Sequence, residues 1–111
     1  MDWHKLINEN QLEELTERSK ERPQLIYKHS TRCGTSSLIR SRLERATAPA
    51  DMDFYFLDLI AYRSLSDKIA QIFGVRHESP QVLLIQNGEC VYHQSHGAIY
   101  MEEIAARNMR A

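Results

Sequence analysis

Short, unbroken apolar runs alternate with amphipathic stretches along this chain, and that alternation predicts its elements. Gln24-Leu25-Ile26-Tyr27 suits a strand covered on both faces. Asp53-Phe54-Tyr55-Phe56-Leu57-Asp58-Leu59 is a second strand, rich in the aromatic residues that strands favour. Around these lie helical spacings. Asn8 reads as a helix cap, with Gln11 three residues on as the other half of a capping box. The first helix is therefore expected from about Glu9 to Lys20, on the outside of the domain, because its apolar positions Leu12 and Leu15 are few. Pro23 ends that unit. A second helix is expected over Ser36 to Ala46 with Leu38, Ile39 and Leu43, followed by the breaker-containing loop Ala46-Thr47-Ala48-Pro49-Ala50. A third starts at Ser64, with Asp67 three on as its cap signal, and carries Leu65, Ile69, Ile72 and Phe73 as a buried stripe until Gly74 closes it.

The last third changes style. Gln81 to Gln86, then Asn87-Gly88, then Glu89 to Gln94 is a hairpin, since Asn-Gly is the strongest short turn signal. Ala98 to Arg110, with Ile99, Ile104 and Met109 among polar residues, is expected as a closing helix. A β-α-β half followed by a β-β-α half, with a cysteine at the first strand-helix junction, is the order of the thioredoxin fold. The expectation is thus an α/β protein with a central mixed sheet of about four strands flanked by helices. Pro80 follows Ser79 directly before the hairpin. In that fold a cis proline at this junction faces the active cysteine, and proline is the only residue for which a cis bond is cheap.

Composition narrows the picture. With 111 residues and 42% hydrophobic content, residues 1–111 suit one domain with one core. A formal charge of -1 gives no electrostatic reason to expect nucleic acid or an anionic membrane as partner. No apolar run is long enough to span a bilayer, and Met-Asp-Trp-His-Lys is not a signal peptide, so a cytoplasmic protein is expected. The two cysteines, Cys33 and Cys90, form no C-x-x-C pair and argue against a disulfide scaffold. The five histidines show no finger-type spacing with them, so no metal is expected.

The chemistry concentrates in Lys28-His29-Ser30-Thr31-Arg32-Cys33-Gly34-Thr35-Ser36-Ser37. Cys33 sits at a strand-to-helix turn, where unpaired N–H groups and the helix dipole favour an anion such as a thiolate. A free cysteine titrates near ~8.5, leaving only a few per cent thiolate at neutral pH. The dipole contributes about 0.3 to 1 kcal/mol, less than one pKa unit, so other donors are needed. Candidates are the N–H groups and hydroxyls of Thr35 and Ser36 and the charge of Arg32, with the hydrogen bonds expected to dominate. His29 reads equally as an aid to the thiolate or as a packing residue. The backbone flanking Pro80 offers strand-like pairing to a bound thiol or client, or is a plain strand start. Arg40, Arg42 and Arg45 read as a solvated face or as carboxylate binders. Cys90 reads first as a small apolar residue near the core and second as a resolving thiol.

Lys28-His29-Ser30 before the cysteine, Cys33-Gly34-Thr35-Ser36, His77-Glu78-Ser79-Pro80-Gln81, Asn87-Gly88 and Ser95-His96 together resemble the monothiol bacilliredoxins, the YtxJ-like family. The likeness runs from Trp3 through the closing helix. Those proteins are similar to thioredoxins in which the second cysteine of C-x-x-C is replaced, here by Ser36. The family usually reads Thr-x-Cys-Pro-Ile-Ser, whereas this chain has Gly34 and Thr35 in the central positions, which leaves redox poise and small-thiol identity open. The resemblance implies a thiol-disulfide oxidoreductase that removes bacillithiol or a similar low-molecular-weight thiol from client proteins, using that thiol as co-substrate and no resident cofactor. The expected site is Cys33 and Ser36 at the chemistry, with Arg32, Gly34, Thr35, Ser79, Pro80 and His29 binding substrate. Expected partners are S-thiolated clients, the small thiol and a reducing redoxin. Cys-Gly-Thr-Ser also resembles the Cys-Gly-Phe-Ser of monothiol glutaredoxins that carry iron–sulfur clusters, and a non-redox binding module on the same fold is a third reading.

Overall fold

A computed structural model describes residues 1–107. Its order is β1 (Trp3–Lys5), α1 (Glu9–Arg18), β2 (Gln24–His29), α2 (Gly34–Arg45), β3 (Asp53–Asp58), α3 (Arg63–Phe73), β4 (Gln81–Gln86), β5 (Glu89–Ser95), a 3-10 turn (His96–Ala98) and α4 (Met101–Ala106). The strands form one mixed five-stranded sheet, ordered β1-β3-β2-β4-β5. β1 and β2 run parallel to β3, while β4 runs antiparallel to both β2 and β5. The sheet thus has one strand more than the four expected, since Trp3–Lys5 adds to the β3 edge. Three residues with one half-buried side chain carry too little alternation to read as a strand.

Side chains alternate across the sheet and build a core on each face. Leu25 and Tyr27 of β2, Phe54 of β3, and Val82 and Leu84 of β4 pack under α2 and α4 with Ile39, Leu43, Met101 and Ile104. Ile26, Tyr55, Leu57, Leu83 and Ile85 face the other way, under α1 and α3, with Leu12, Leu15, Leu65 and Ile69. All six residues of β2 are buried, as a strand between two helical layers requires. That central strand delivers the chain to the cysteine.

Several boundaries move for identifiable reasons. The Asn8 capping box forms: Gln11 N–H donates to Asn8 Oδ1 at 2.9 Å, and Asn8 N–H donates to Gln11 Oε1 at 3.3 Å. Gly74 closes α3 at φ 65, and Asn87 (φ 53) with Gly88 (φ 77) makes the hairpin turn. α3, by contrast, begins at Arg63, and Ser64 is no cap. The turn before it is organised by Asp58, whose Oδ1 accepts from Ile60 N–H at 3.1 Å and Ala61 N–H at 3.4 Å. Ile72, expected in the buried stripe, is exposed. The closing helix starts at Met101 instead of Ala98, because His96–Ala98 forms the 3-10 turn. Its expected residues Met109 and Arg110 lie outside the described residues.

Candidate active site

α2 begins two residues earlier than its apolar spacing suggests, and this shift places the cysteine. Cys33 is the N-cap of α2, extended at φ -112 and ψ 117, with Gly34, Thr35 and Ser36 as the first three helical residues. Its backbone is held on both sides: Cys33 N–H donates to Ser30 O at 3.2 Å, and Ser37 N–H donates to Cys33 O at 3.4 Å. The neutral side chain makes no capping hydrogen bond. It faces donors that favour its anion. The Ser36 N–H is the strongest influence holding the Cys33 thiol below its ordinary range, partial burial opposes it, and the Ser36 hydroxyl and the Thr35 N–H and hydroxyl add to it. Arg32 is exposed and has no part in that shift.

Ser36 is fully buried and ties the loop to the strand. Its Oγ accepts from Ser30 N–H at 3.3 Å, and its carbonyl accepts the Tyr27 hydroxyl at 2.7 Å. Burial raises the Tyr27 pKa, so that hydroxyl remains a donor. His29 Nδ1 lies 3.3 Å from the same hydroxyl oxygen, which suits an Nδ1–H donating to it. The His29 ring packs 4.9 Å from that of Phe56. Burial, and then the Arg40 charge, lowers the His29 pKa and keeps the ring neutral. His29 is thus buried against Phe56 and hydrogen-bonded to Tyr27. Gly34 is exposed, with open space where a side chain would begin.

Ser79 and Pro80 join this end of the sheet through register. Lys28 of β2 pairs with Gln81 of β4, so the continued register sets Pro80 across from His29, at the end of β2 that leads to Cys33. The Ser79–Pro80 bond is cis. The Pro80 carbonyl accepts His96 N–H at 2.9 Å and is thus already paired within the protein. The buried Oγ of Ser79, just before it, has no hydrogen-bond partner among the described residues.

Glu78, Ser95 and His96 gain a physical role. Glu78 accepts a hydrogen bond from Ser95, and its Oε2 lies 3.4 Å from His96 Nε2. The segment before the proline is thereby clipped to the turn after β5. Arg42 binds that turn to α2 by donating to Gly97 O and Ile99 O, both at 2.9 Å, and it stacks 4.3 Å over Tyr100. Arg40 pairs with Glu44 at 3.2 Å and covers Phe56 at 4.7 Å, while Arg45 stays exposed. Arg40 and Arg42 are therefore structural residues here.

Cys90 is far from Cys33. It pairs with Ile85 beside a register shift near the hairpin, four residues along β4 from Gln81, which is roughly 13 Å. Its Sγ donates to Tyr92 O at 3.3 Å, and burial pushes its thiol pKa up. It lies at the wrong end of the sheet to resolve Cys33.

Lys28 and His77, to which the sequence assigns no role of their own, meet inside the protein. Lys28 is 0% exposed, and its Nζ lies 3.3 Å from His77 Nδ1. A lysine inside a run otherwise buried on both faces was the available signal.

The family described as monothiol bacilliredoxin BrxC matches residues 4–104. A solved protein described as having a thioredoxin fold, and provisionally as an oxidoreductase, is 36% identical, with 92% of this chain and 89% of that one covered at a TM-score of 0.77. Fasciola hepatica thioredoxin is 19% identical, with 96% and 97% covered and a TM-score of 0.74. Malassezia sympodialis thioredoxin is 18% identical, with 95% and 86% covered and a TM-score of 0.71. The last two likenesses are of fold. Among the described residues, no helix is long and apolar enough to cross a membrane.

Proposed function

The chain belongs to the monothiol bacilliredoxin BrxC family of thiol redox proteins, and from that premise we propose that it removes bacillithiol, or a closely similar small thiol, from mixed disulfides on client proteins through Cys33 alone. The observation that carries this reading is the seat of Cys33: a half-exposed N-cap thiol whose anion is favoured by Ser36 and Thr35, with serine in place of a second cysteine.

The Cys33 thiolate attacks the small-thiol sulfur of the mixed disulfide. A new disulfide joins Cys33 to the small thiol, and the client leaves as a thiolate that takes a proton from water. A second thiolate then attacks the small-thiol sulfur, breaks its bond to Cys33 and returns Cys33 as thiolate. The oxidised product is a disulfide between the small thiol and the second thiol, so electrons balance with no cofactor. Ser36 cannot supply the second thiol and Cys90 is out of reach, which leaves a small molecule or a reducing redoxin. Thr35 and Ser36 hold the sulfur anion in the attacking and leaving steps, Gly34 keeps the approach open, and the Ser79 backbone pairs with the bound chain beside Pro80. Arg32 meets the rim of the incoming molecule. His29 supports the site through Tyr27 without touching the sulfur.

Intact mass after exposure to bacillithiol disulfide and, separately, glutathione disulfide tests the proposal. One adduct is expected, formed faster with bacillithiol and absent from Cys33→Ser. No adduct from either disulfide overturns the exchange reading.

A further inference from the structure

The two stretches of sequence most particular to this chain's family likeness, Lys28-His29-Ser30 and His77-Glu78-Ser79-Pro80-Gln81, are far apart in the chain and touch inside the protein. Lys28 points away from the Tyr27 and Leu25 side of β2, into the layer of α3. There its Nζ donates to Ser66 O at 3.1 Å and meets His77 Nδ1 at 3.3 Å. Ser66 Oγ lies 3.3 Å from the same Nδ1. Both Lys28 and the Ser66 hydroxyl have a hydrogen to give, and only a neutral imidazole protonated at Nε2 accepts at Nδ1. The surroundings agree: burial, and then the charges of Lys28 and Arg63, lowers the His77 pKa against the opposing pull of Asp67 and Glu78. Burial brings Lys28 down to about 8, with Asp67 opposing.

A lysine is a costly way to fill a core, because desolvating its head is repaid only by well-placed acceptors. What this one secures is the segment that ends at Ser79–Pro80. From the α3 side the segment is held by Lys28 through His77 and by Gln81 Nε2, which donates to Arg76 O at 2.9 Å. From the β5 side it is held by Ser95 and His96 through Glu78 and by the His96 N–H on Pro80 O. The first of these ties is a side-chain anchor in β2, the strand that also leads to Cys33, and it adds to the backbone pairing of Gln81 with Lys28.

We propose that Lys28 is a positioning residue for mixed-disulfide capture: acting through His77, it fixes the Ser79–Pro80 turn at the height and angle at which a disulfide bound to that turn meets Cys33. This deepens the exchange reading above and rests on it. A turn held to β2 by backbone pairing alone still exists but presents the substrate in a spread of positions, and misplacement of about 1 Å costs roughly a hundredfold in the severest cases. The sulfur itself, set by Ser36 and Thr35, is untouched.

The test is single-turnover release of thiol from a cysteine peptide carrying a bacillithiol mixed disulfide, with peptide concentration varied. Alkylation of Cys33 by iodoacetamide across pH is measured alongside on the same full-length proteins. Lys28→Met keeps the apolar stem and removes the donor. It is expected to lower the ratio of single-turnover rate to half-saturating peptide concentration roughly tenfold or more, while the alkylation profile of Cys33 coincides with that of the parent protein. His77→Ala is expected to move the same way, and His77→Asn, whose amide oxygen can stand near Nδ1, to recover most of the loss. The His77 pair decides the matter if Lys28→Met does not fold. An unchanged ratio in the variants overturns the proposal, as does an altered alkylation profile, which would mean that Lys28 acts on the sulfur directly. A parent protein that alkylates normally yet releases no peptide thiol would sink the exchange reading, and this proposal with it.

Discussion

At the scale of single residues, two neighbours, Ser36 and Thr35, hold the Cys33 thiol below its ordinary range. The Ser36 backbone N–H is the leading influence, followed among the favourable ones by the Ser36 hydroxyl, and both belong to a residue with no exposure to water. Ser36→Ala therefore removes the smaller share and spares the larger. The Cys33 pKa is expected to rise but stay below that of an ordinary thiol, slowing alkylation at neutral pH. Thiolate absorbance followed against pH checks this, and an unmoved midpoint would show that the hydroxyl does not reach the sulfur. The same change deprives Ser30 N–H of its acceptor, so about 1 kcal/mol of stability should also be lost. Arg32 illustrates the other side of the comparison. Its charge is adjacent in sequence, yet an exposed guanidinium is screened by water and does not compete with an N–H aimed at the sulfur.

Among the elements, α2 is the one whose start matters most, and its first residue departs from the family's usual proline. Gly34 occupies the first helical position, Cys33 before it is already extended at φ -112 and ψ 117, and nothing stands where a ring would go. Those are the conditions that proline wants at a helix start, including the extended residue before it. Gly34→Pro is expected to raise stability by about 0.4 to 1 kcal/mol through the unfolded chain, as read by urea denaturation. A loss of stability would mean that the Gly34 N–H serves a partner.

Local signals explain which elements were legible. The Asn8 capping box, Gly74 and Asn87-Gly88 each act within a few residues, and sequence alone exposes them. Ser64 and Asp67 form the same kind of pattern but do not cap α3, because the chain arrives from a turn already organised by Asp58 on β3. The 3-10 turn at His96–Ala98 was hidden for the opposite reason. It is defined by Arg42 on α2 and by Pro80, partners distant in the chain. The candidate site divides likewise: Cys33, Ser36 and Pro80 were visible as local motif, whereas Lys28 and His77 acquire meaning only once β2 and β4 are paired.

Taken as a whole, the molecule keeps one positive charge inside its α3-side layer, and this should be visible in its stability. Lys28 titrates near 8 in the folded protein against 10.5 for an ordinary lysine. Between those values the unfolded chain binds more protons than the folded one, so stability rises with pH, and the penalty for charging Lys28 is fully present only below about pH 8. Tyr27 works in the other direction above pH 10, where an unfolded tyrosine ionises and the buried one does not. The difference in urea midpoint between the parent protein and Lys28→Met should therefore grow in the parent's favour from pH 8 to pH 10. Parallel curves would show that the folded lysine titrates normally.

Cys33 at one end of the sheet and Cys90 near the other leave the molecule no way to shelter an oxidising equivalent within itself. A protein with two neighbouring thiols is a small accumulator, able to hold a disulfide after its source has gone. This one has no such internal store. In the exchange proposed above, the fraction of Cys33 carrying an adduct is expected to follow the ratio of disulfide to thiol in the solution around it, much as an electrode follows its bath.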